Sequence, residues 1–277
     1  TFSGYDMSGN NAENQREVII KVRNLTAKYG DNSILDNVTF DVYKGEIFVI
    51  LGGSGCGKST LLKHMIGLYK PAGGNVVIEG RDISTAEGDE RIEILKRIGV
   101  AYQLGALFGS LTVLQNVMLP LEEYTDLNGE ARDLIGRMKL ALVGLTGSEQ
   151  KMPSELSGGM IKRAALARAM ALDPKVLFLD EPSAGLDPIT SAELDELIKQ
   201  LSRSLGITFV VVTHELNSIY NIADRVIMLD KSVKGIIAEG KPVYLRDHST
   251  IPVVQKFFRR QTDTELGGEE NKGESRI

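Results

Sequence analysis

Four short runs along the chain are apolar at nearly every position. Residues 47–51 read Ile-Phe-Val-Ile-Leu, and similar runs occupy 176–179, 207–212 and 226–229. A short run without alternation predicts a strand covered on both faces, as in a parallel sheet. The opening is different. Val38, Phe40 and Val42 alternate with Thr39, Asp41 and Tyr43, which predicts a half-exposed antiparallel strand, with residues 18–25 as a second strand nearby. Leu194, Leu197, Ile198, Leu201 and Leu205 form one stripe at helical spacing. Strands and helices alternating in this way predict an α/β domain, helices packed on a parallel sheet, over residues 18–261. Residues 104–165 lack strand-like runs and carry helical segments such as 131–143, so this stretch is expected to be a helical insertion within the domain.

The two ends lack periodicity. Residues 1–17 are polar and expected to be flexible; Met7 reads as the start, with the six residues before it extraneous. Residues 262–277 hold five acidic residues, two basic ones and three glycines, the composition of a solvated, disordered tail. With 32 basic against 37 acidic residues the net charge is −5, so nucleic acid is not an expected partner. One cysteine excludes an intrachain disulfide, and neither a signal peptide nor a thiolate metal cluster is expected. The longest apolar runs are about five residues, against the ~20 that span a bilayer, as expected of a cytosolic-type protein.

Candidate chemistry begins directly after the first buried run. Gly52-Gly53-Ser54-Gly55-Cys56-Gly57-Lys58-Ser59 fits G-x-x-x-x-G-K-[ST] between a predicted strand and a helical run opening at Thr60. Glycines let the backbone curl so that successive N–H groups face phosphate oxygens, and a helix start adds a favourable dipole. Lys58 can reach the β- and γ-phosphates and the Ser59 hydroxyl can ligate Mg²⁺. Cys56 reads as a passive occupant. The run at 176–179 ends in Asp180-Glu181-Pro182, placing one carboxylate to hold Mg²⁺ and the next to orient or deprotonate an attacking water. Ligands gather at the carboxyl ends of parallel strands, so Ser59 and Asp180 are expected to converge. Of three histidines, only His214 follows a buried strand; His64 is expected to pack in the helix after the loop, and His248 has no assigned role. Ser157-Gly158-Gly159 precedes a helix predicted over 161–172, with Ser157 as its N-cap. A single chain has no need of a second phosphate cradle, whereas two facing copies would use both.

These residues resemble the ATP-binding subunits of ABC transporters over about residues 18–245. The match comprises the loop from Gly52 to Thr60, Gln103, Leu156-Ser157-Gly158-Gly159-Met160, Asp180-Glu181, Ser183-Ala184-Gly185-Leu186-Asp187, His214 and Tyr29. The resemblance implies a RecA-like core with an N-terminal antiparallel part and a helical subdomain. It implies a head-to-tail homodimer with ATP held between one loop and the opposing Ser157-Gly158-Gly159. Tyr29 would stack on adenine, His214 would contact the γ-phosphate, and Gln103 would link Mg²⁺ to a membrane permease. A narrower resemblance, to the Mla-type phospholipid-trafficking ATPases, rests on Gln103-Leu104-Gly105-Ala106-Leu107-Phe108, Asn116-Val117, Met160 and Lys162-Arg163-Ala164-Ala165-Leu166-Ala167-Arg168. Leu104 departs from the small polar residue usual there. This implies a motor moving phospholipid, peripheral on the cytoplasmic face of the inner membrane, with a lipid-binding substrate protein among its partners. Residues 106–121, apolar at ten of sixteen positions, are expected to supply both core and a permease groove. The alternatives are a solute-import subunit, a soluble ABC-type ATPase and a binding-only ATP sensor.

Overall fold

The computed structural model describes residues 16–259. The chain opens with β1 (Val18–Tyr29), β2 (Asn32–Tyr43), β3 (Ile47–Gly52), α1 (Lys58–Met65), β4 (Gly73–Ile78) and β5 (Arg81–Asp82). Then follow α2 (Gly88–Leu95), β6 (Ile98–Ala101), α3 (Val113–Tyr124), α4 (Gly129–Leu142), α5 (Gly158–Ala169) and β7 (Val176–Asp180). The last third holds α6 (Pro188–Leu205), β8 (Thr208–Val212), α7 (Leu216–Ile222), β9 (Arg225–Asp230), β10 (Gly235–Gly240), α8 (Pro242–His248) and α9 (Pro252–Arg259).

The strands form two sheets. One is antiparallel in the order β2-β1-β4-β5; the other runs β10-β9-β3-β8-β7-β6, parallel except for β10 at its edge. The four apolar runs are four adjacent strands of the second sheet, and their side chains serve two cores in strict alternation. Ile47, Val49, Leu51, Leu177, Leu179, Phe209, Val211, Val226 and Met228 pack under α3 to α9. Phe48, Ile50, Val176, Phe178, Val210, Val212, Ile227 and Leu229 pack against α1 and the antiparallel sheet. A strand covered on both sides cannot show a polar face, so its sequence loses the period of two.

Several expectations need correction. β1 and β2 extend well beyond the runs read from the alternation. Asn24 and Asn37 both have left-handed φ, 51° and 52°, where the register slips. Asn24 Nδ2 donates to Asn37 Oδ1 at 2.5 Å, and a bulge of this kind breaks the period without ending the strand. The stripe on α6 stops at Leu201, because Leu205 is 48% exposed at the helix end. The helix after Ser157 starts earlier and ends sooner than predicted. Of residues 1–17 only Arg16 and Glu17 are described; the Glu17 carbonyl accepts from Lys44 N at 2.9 Å. The rest of the N-terminal stretch, expected to be flexible, and the tail at 262–277, expected to be disordered, lie outside the described residues.

One cation fastens β9 to the turn that feeds β3. Arg225 is 15% exposed in its side chain and Glu46 4%, and they pair at 2.6 Å. Arg225 also donates to Asp41 O at 2.6 Å and pairs with Glu239 on β10. Its guanidinium lies 4.8 Å from the Tyr43 ring centroid and 4.7 Å from that of Phe48. Removing one member of such a pair strands the other in low dielectric. Arg225→Met should therefore lower unfolding stability by roughly 3 kcal/mol, measured by urea titration, and Glu46→Gln in the same background should recover part of it.

Candidate nucleotide-binding site

The sheet order decides what meets at its carboxyl edge. β3, β8, β7 and β6 lie side by side, and they run out into Gly52, His214, Glu181 and Gln103 respectively. At the end of β3, Gly52 has φ +148°, and a Cβ there would sit 2.4 Å from the Leu229 carbonyl oxygen. Gly55 and Gly57 also take positive φ, completing the curl. α1 starts with no side-chain cap on its first turn, which leaves its N–H groups free to bind an anion. Lys58 Nζ donates to the Gly52 and Gly53 carbonyls at 2.9 and 3.1 Å, so the ammonium folds back over the loop. Gly53, Ser54 and Ser59 are exposed and Thr60 half-buried. Cys56 is 2% exposed, and burial pushes its thiol pKa up, away from reactivity. His64 is buried in α1, its Nδ1 2.7 Å from the Thr60 carbonyl.

Asp180 ends β7 beside Val212 of β8. Its Oδ1 is buried without a hydrogen-bond partner. Burial, and then the neighbouring Glu181, push its pKa up, while Lys63, Lys58 and Lys162 oppose that. Glu181 follows in a left-handed conformation, φ +48°, which costs a residue with a Cβ on the order of 1 kcal/mol. The backbone holds it there: Glu181 N donates to Val212 O at 2.8 Å. That conformation turns the carboxylate toward His214, with Oε1 2.8 Å from Nδ1, and leaves Oε2 buried and unpartnered. Two orphaned carboxylate oxygens, one from each residue, are costly unless something else arrives to use them. Among the described residues no group of three or more His, Cys, Asp or Glu side chains could hold a metal alone. Asp180, the Ser59 hydroxyl and the Gln103 amide offer oxygen donors only, the chemistry that a hard cation takes together with phosphate and water ligands.

The other candidate residues are placed around this edge. Tyr29, 50% exposed, stands at the tip of the β1–β2 hairpin with its ring edge-on to Tyr69 at 6.3 Å. Ile34 and Leu35 of the same hairpin press against Gly57. Gln103 is exposed just past β6, and its backbone carbonyl accepts from Lys162 Nζ. Ser157 caps α5, accepting from Met160 N at 3.3 Å, and with Gly158 faces solvent; their neighbours lie on the α6 side, not at the loop of residues 52–57. Gly159 is buried, and a Cβ there would meet Thr190 Cγ2 at 2.5 Å.

Three side chains gain significance only from the structure. Lys162 and Arg168, both on α5, grip the segment after β6, with Arg168 donating to the Ala106 and Gly105 carbonyls at 2.8 and 2.9 Å. Asn116, fully buried in α3, accepts from Phe108 N at 2.7 Å, and its Nδ2 shares two hydrogens among the carbonyls of Phe108, Leu111 and Thr112 at 3.1, 3.2 and 3.0 Å. The sequence holds a partial signal for the first two: basic residues on an otherwise Ala-rich helix.

A glycine-rich loop opening a helix, a half-buried lysine folded over it, a carboxylate with an unpartnered oxygen and a second carboxylate paired with histidine suit an ATP-hydrolysing cassette. A family model described as ABC transporter matches residues 35–184, and the chain belongs to that family as its ATP-binding, ATP-hydrolysing component with a RecA-like core. It is 44% identical over 246 residues to the intermembrane phospholipid transport system ATP-binding protein MlaF of Haemophilus influenzae, covering 88% of this chain and 92% of that one. It is 42% identical over 259 residues to a probable ribonucleotide transport ATP-binding protein, mkl, of Mycobacterium leprae, covering 93% of this chain and 74% of the relative. Among solved structures, a dimeric ATP-binding cassette in a post-hydrolysis state bound to ADP and Pi aligns with TM-score 0.73 and 34% identity, over 80% of this chain and 98% of that one. The cbiO1 protein from Clostridium perfringens, part of the ABC transporter complex cbiONQ, aligns with TM-score 0.77 and 29% identity over 84% and 92%.

The Gly159 contact makes a specific stability prediction. Gly159→Ala should cost about 1–3 kcal/mol by overpacking, and Thr190→Ser, which removes the opposing methyl, should restore most of it. Thermal unfolding of both variants checks this.

Proposed function

We propose that the chain is the motor subunit of a membrane transporter that moves phospholipid between membranes, powered by ATP-driven dimerisation and hydrolysis. The observation that carries the ATP chemistry is the Glu181–His214 pair at 2.8 Å beside the unpartnered Asp180 Oδ1. Tyr29 stacks on adenine. Gly52, Gly53, Ser54, Gly55, Cys56, Gly57 and the first turn of α1 through Thr60 bind the phosphates through backbone N–H groups, and Lys58 leaves its loop carbonyls for the β- and γ-phosphates. Mg²⁺ held by Ser59 and Asp180, with Gln103 beside them, would neutralise charge on the phosphate oxygens. Glu181 Oε2 orients and deprotonates the attacking water, while His214 fixes the other carboxylate oxygen and faces the γ-phosphate. Ser157, Gly158 and Gly159 complete the site of a second copy, head to tail; their solvent-facing start of α5 and the dimeric state of a similar cassette support this.

A permease meets the chain beside α3. Leu104 is 85% exposed and Phe108 53%, next to a groove of about 550 Å³ that Leu68, Tyr102, Pro120 and Tyr124 help to line. Apolar side chains gathered this way on a surface mark an interaction site. Among the described residues no helix is long and apolar enough to cross a membrane, in keeping with a peripheral subunit on the cytoplasmic face of the inner membrane. The phospholipid assignment rests on the relative named MlaF, 92% of whose length is matched. The name of the mycobacterial relative favours a second reading, a solute importer for ribonucleotides.

Glu181→Gln should keep ATP binding and trap a dimer while phosphate release falls by about 10²- to 10⁴-fold; near-normal turnover would remove Glu181 from the mechanism. Leu104→Asp should leave the ATPase of the isolated chain intact and abolish co-purification of a permease from gently solubilised membranes. Mass spectrometry of the wild-type complex separates the two substrates: enriched phospholipid with a lipid-binding protein supports the first reading, a solute permease with a solute-binding protein the second.

A further inference from the structure

Lys162 lies about one turn into α5, on the helix that Ser157 caps. It helps line a narrow apolar gap with Ala165, Leu179 and Ile198, and its charge is felt by Glu181, Glu215 and Asp180. Nζ donates to the Gln103 carbonyl and, at 3.2 Å, to the Glu181 carbonyl. Burial pulls the Lys162 pKa down, while Glu181, Glu215 and Asp180 hold it up, so three carboxylates sense this one cation.

The second of those bonds matters because of the shape of the Glu181 backbone. A left-handed residue bearing a side chain persists only where its surroundings over-determine it. Glu181 N is fixed by Val212 of β8, and its carbonyl is fixed by Lys162. The two bonds together clamp the peptide whose conformation sends the carboxylate to His214. Helix α5 is a rigid body at this scale, so the same element carries the solvent-facing Ser157 and Gly158 at one end and this clamp a turn later. We propose that Lys162 is a positioning residue, which couples the placement of α5 and of the Gln103 backbone to the orientation of the Glu181 carboxylate. A rotation or shift of α5 then reaches the carboxylate through a single ammonium. This rests on the reading of Glu181 as the residue that activates water.

The chemistry required at position 162 is a cation with donors able to bridge two carbonyls. Lys162→Met keeps the apolar stem and removes the bridge. Lys162→Arg keeps the charge and supplies more donors than the bridge uses. The test is steady-state ATP hydrolysis by the full chain, with equilibrium ATP binding and thermal midpoint measured on each variant and Glu181→Gln run alongside. Lys162→Met is expected to lower kcat about ten- to hundredfold, the usual cost of a misplaced catalytic group. ATP affinity should stay within about twofold, since Lys162 contacts neither the loop of residues 52–57 nor Tyr29 in the structure, and Lys162→Arg should recover most of kcat. Should Lys162→Met fold poorly, Lys162→Gln, which can reach one carbonyl, is expected to give a fall in kcat smaller than tenfold but outside error. Unchanged kcat in the Met variant, or in Gln where that is the variant assayed, overturns the proposal, and so does an Arg variant that folds and binds ATP yet recovers nothing. A fully active Glu181→Gln overturns the underlying reading and the coupling with it, and the Glu181 measurement tells that failure from the others.

Discussion

A strand covered on both faces has no room for a charge along its length. β3, β7 and β8 are such strands, each feeding side chains alternately into one core and then the other, so polar groups can appear only where the strands stop. Because the three run parallel and adjacent, they stop along one line. Gly52, Asp180 and Glu181 follow directly on the apolar register and His214 one residue later, after Thr213, and their proximity is a by-product of pairing, not of any contact they make with each other. The Glu181–His214 hydrogen bond is then a local refinement on a position fixed by the sheet. Disturbing the sheet elsewhere should disturb this edge too, which gives Arg225 a bearing on the site although it sits at the opposite ends of the strands.

What could be read in advance follows the same division. Runs such as 47–51 and 207–212 announce buried parallel strands because apolar residues fill every position but Thr208, and the end of each strand is thereby located. Gly52 through Ser59 needed only spacing. The bulge at Asn24 and Asn37 was hidden, since two asparagines side by side across a pair look like a strand end in one dimension. Leu205 was misread because helical periodicity cannot say where the neighbouring layer stops. In the sequence Lys162, Arg168 and Asn116 carry a family resemblance and nothing that says what they hold. Their partners are backbone carbonyls up to 63 residues away, and a carbonyl has no letter in the sequence. Arg225 is similar, meeting Glu46 across a separation of 179 residues.

The core under α3, α4 and α5 is continuous with that under α6 and α7, sharing Val113, Val117 and Leu140 with Leu194 and Ile198. The helical stretch is therefore not insulated from the sheet. α5 is the element through which they meet: Gly159 touches Thr190 at the start of α6, Lys162 reaches the end of β7, and Arg168 holds the segment leaving β6. A helix with three such attachments moves as a lever or not at all. Its Ala-rich face, Ala164, Ala165 and Ala167, packs closely and offers little slack.

Asn116 has a consequence for recognition. Its single side-chain amide ties together the backbone of residues 108, 111 and 112, so the loop bearing Phe108 has its shape before anything approaches. A preshaped surface spares a binding partner the entropy of ordering it. The same rigidity keeps Phe108, 53% exposed, at the surface when nothing covers it. On the proposal that a permease docks here, the exposed ring would leave copies without a complex more prone to aggregate than assembled ones.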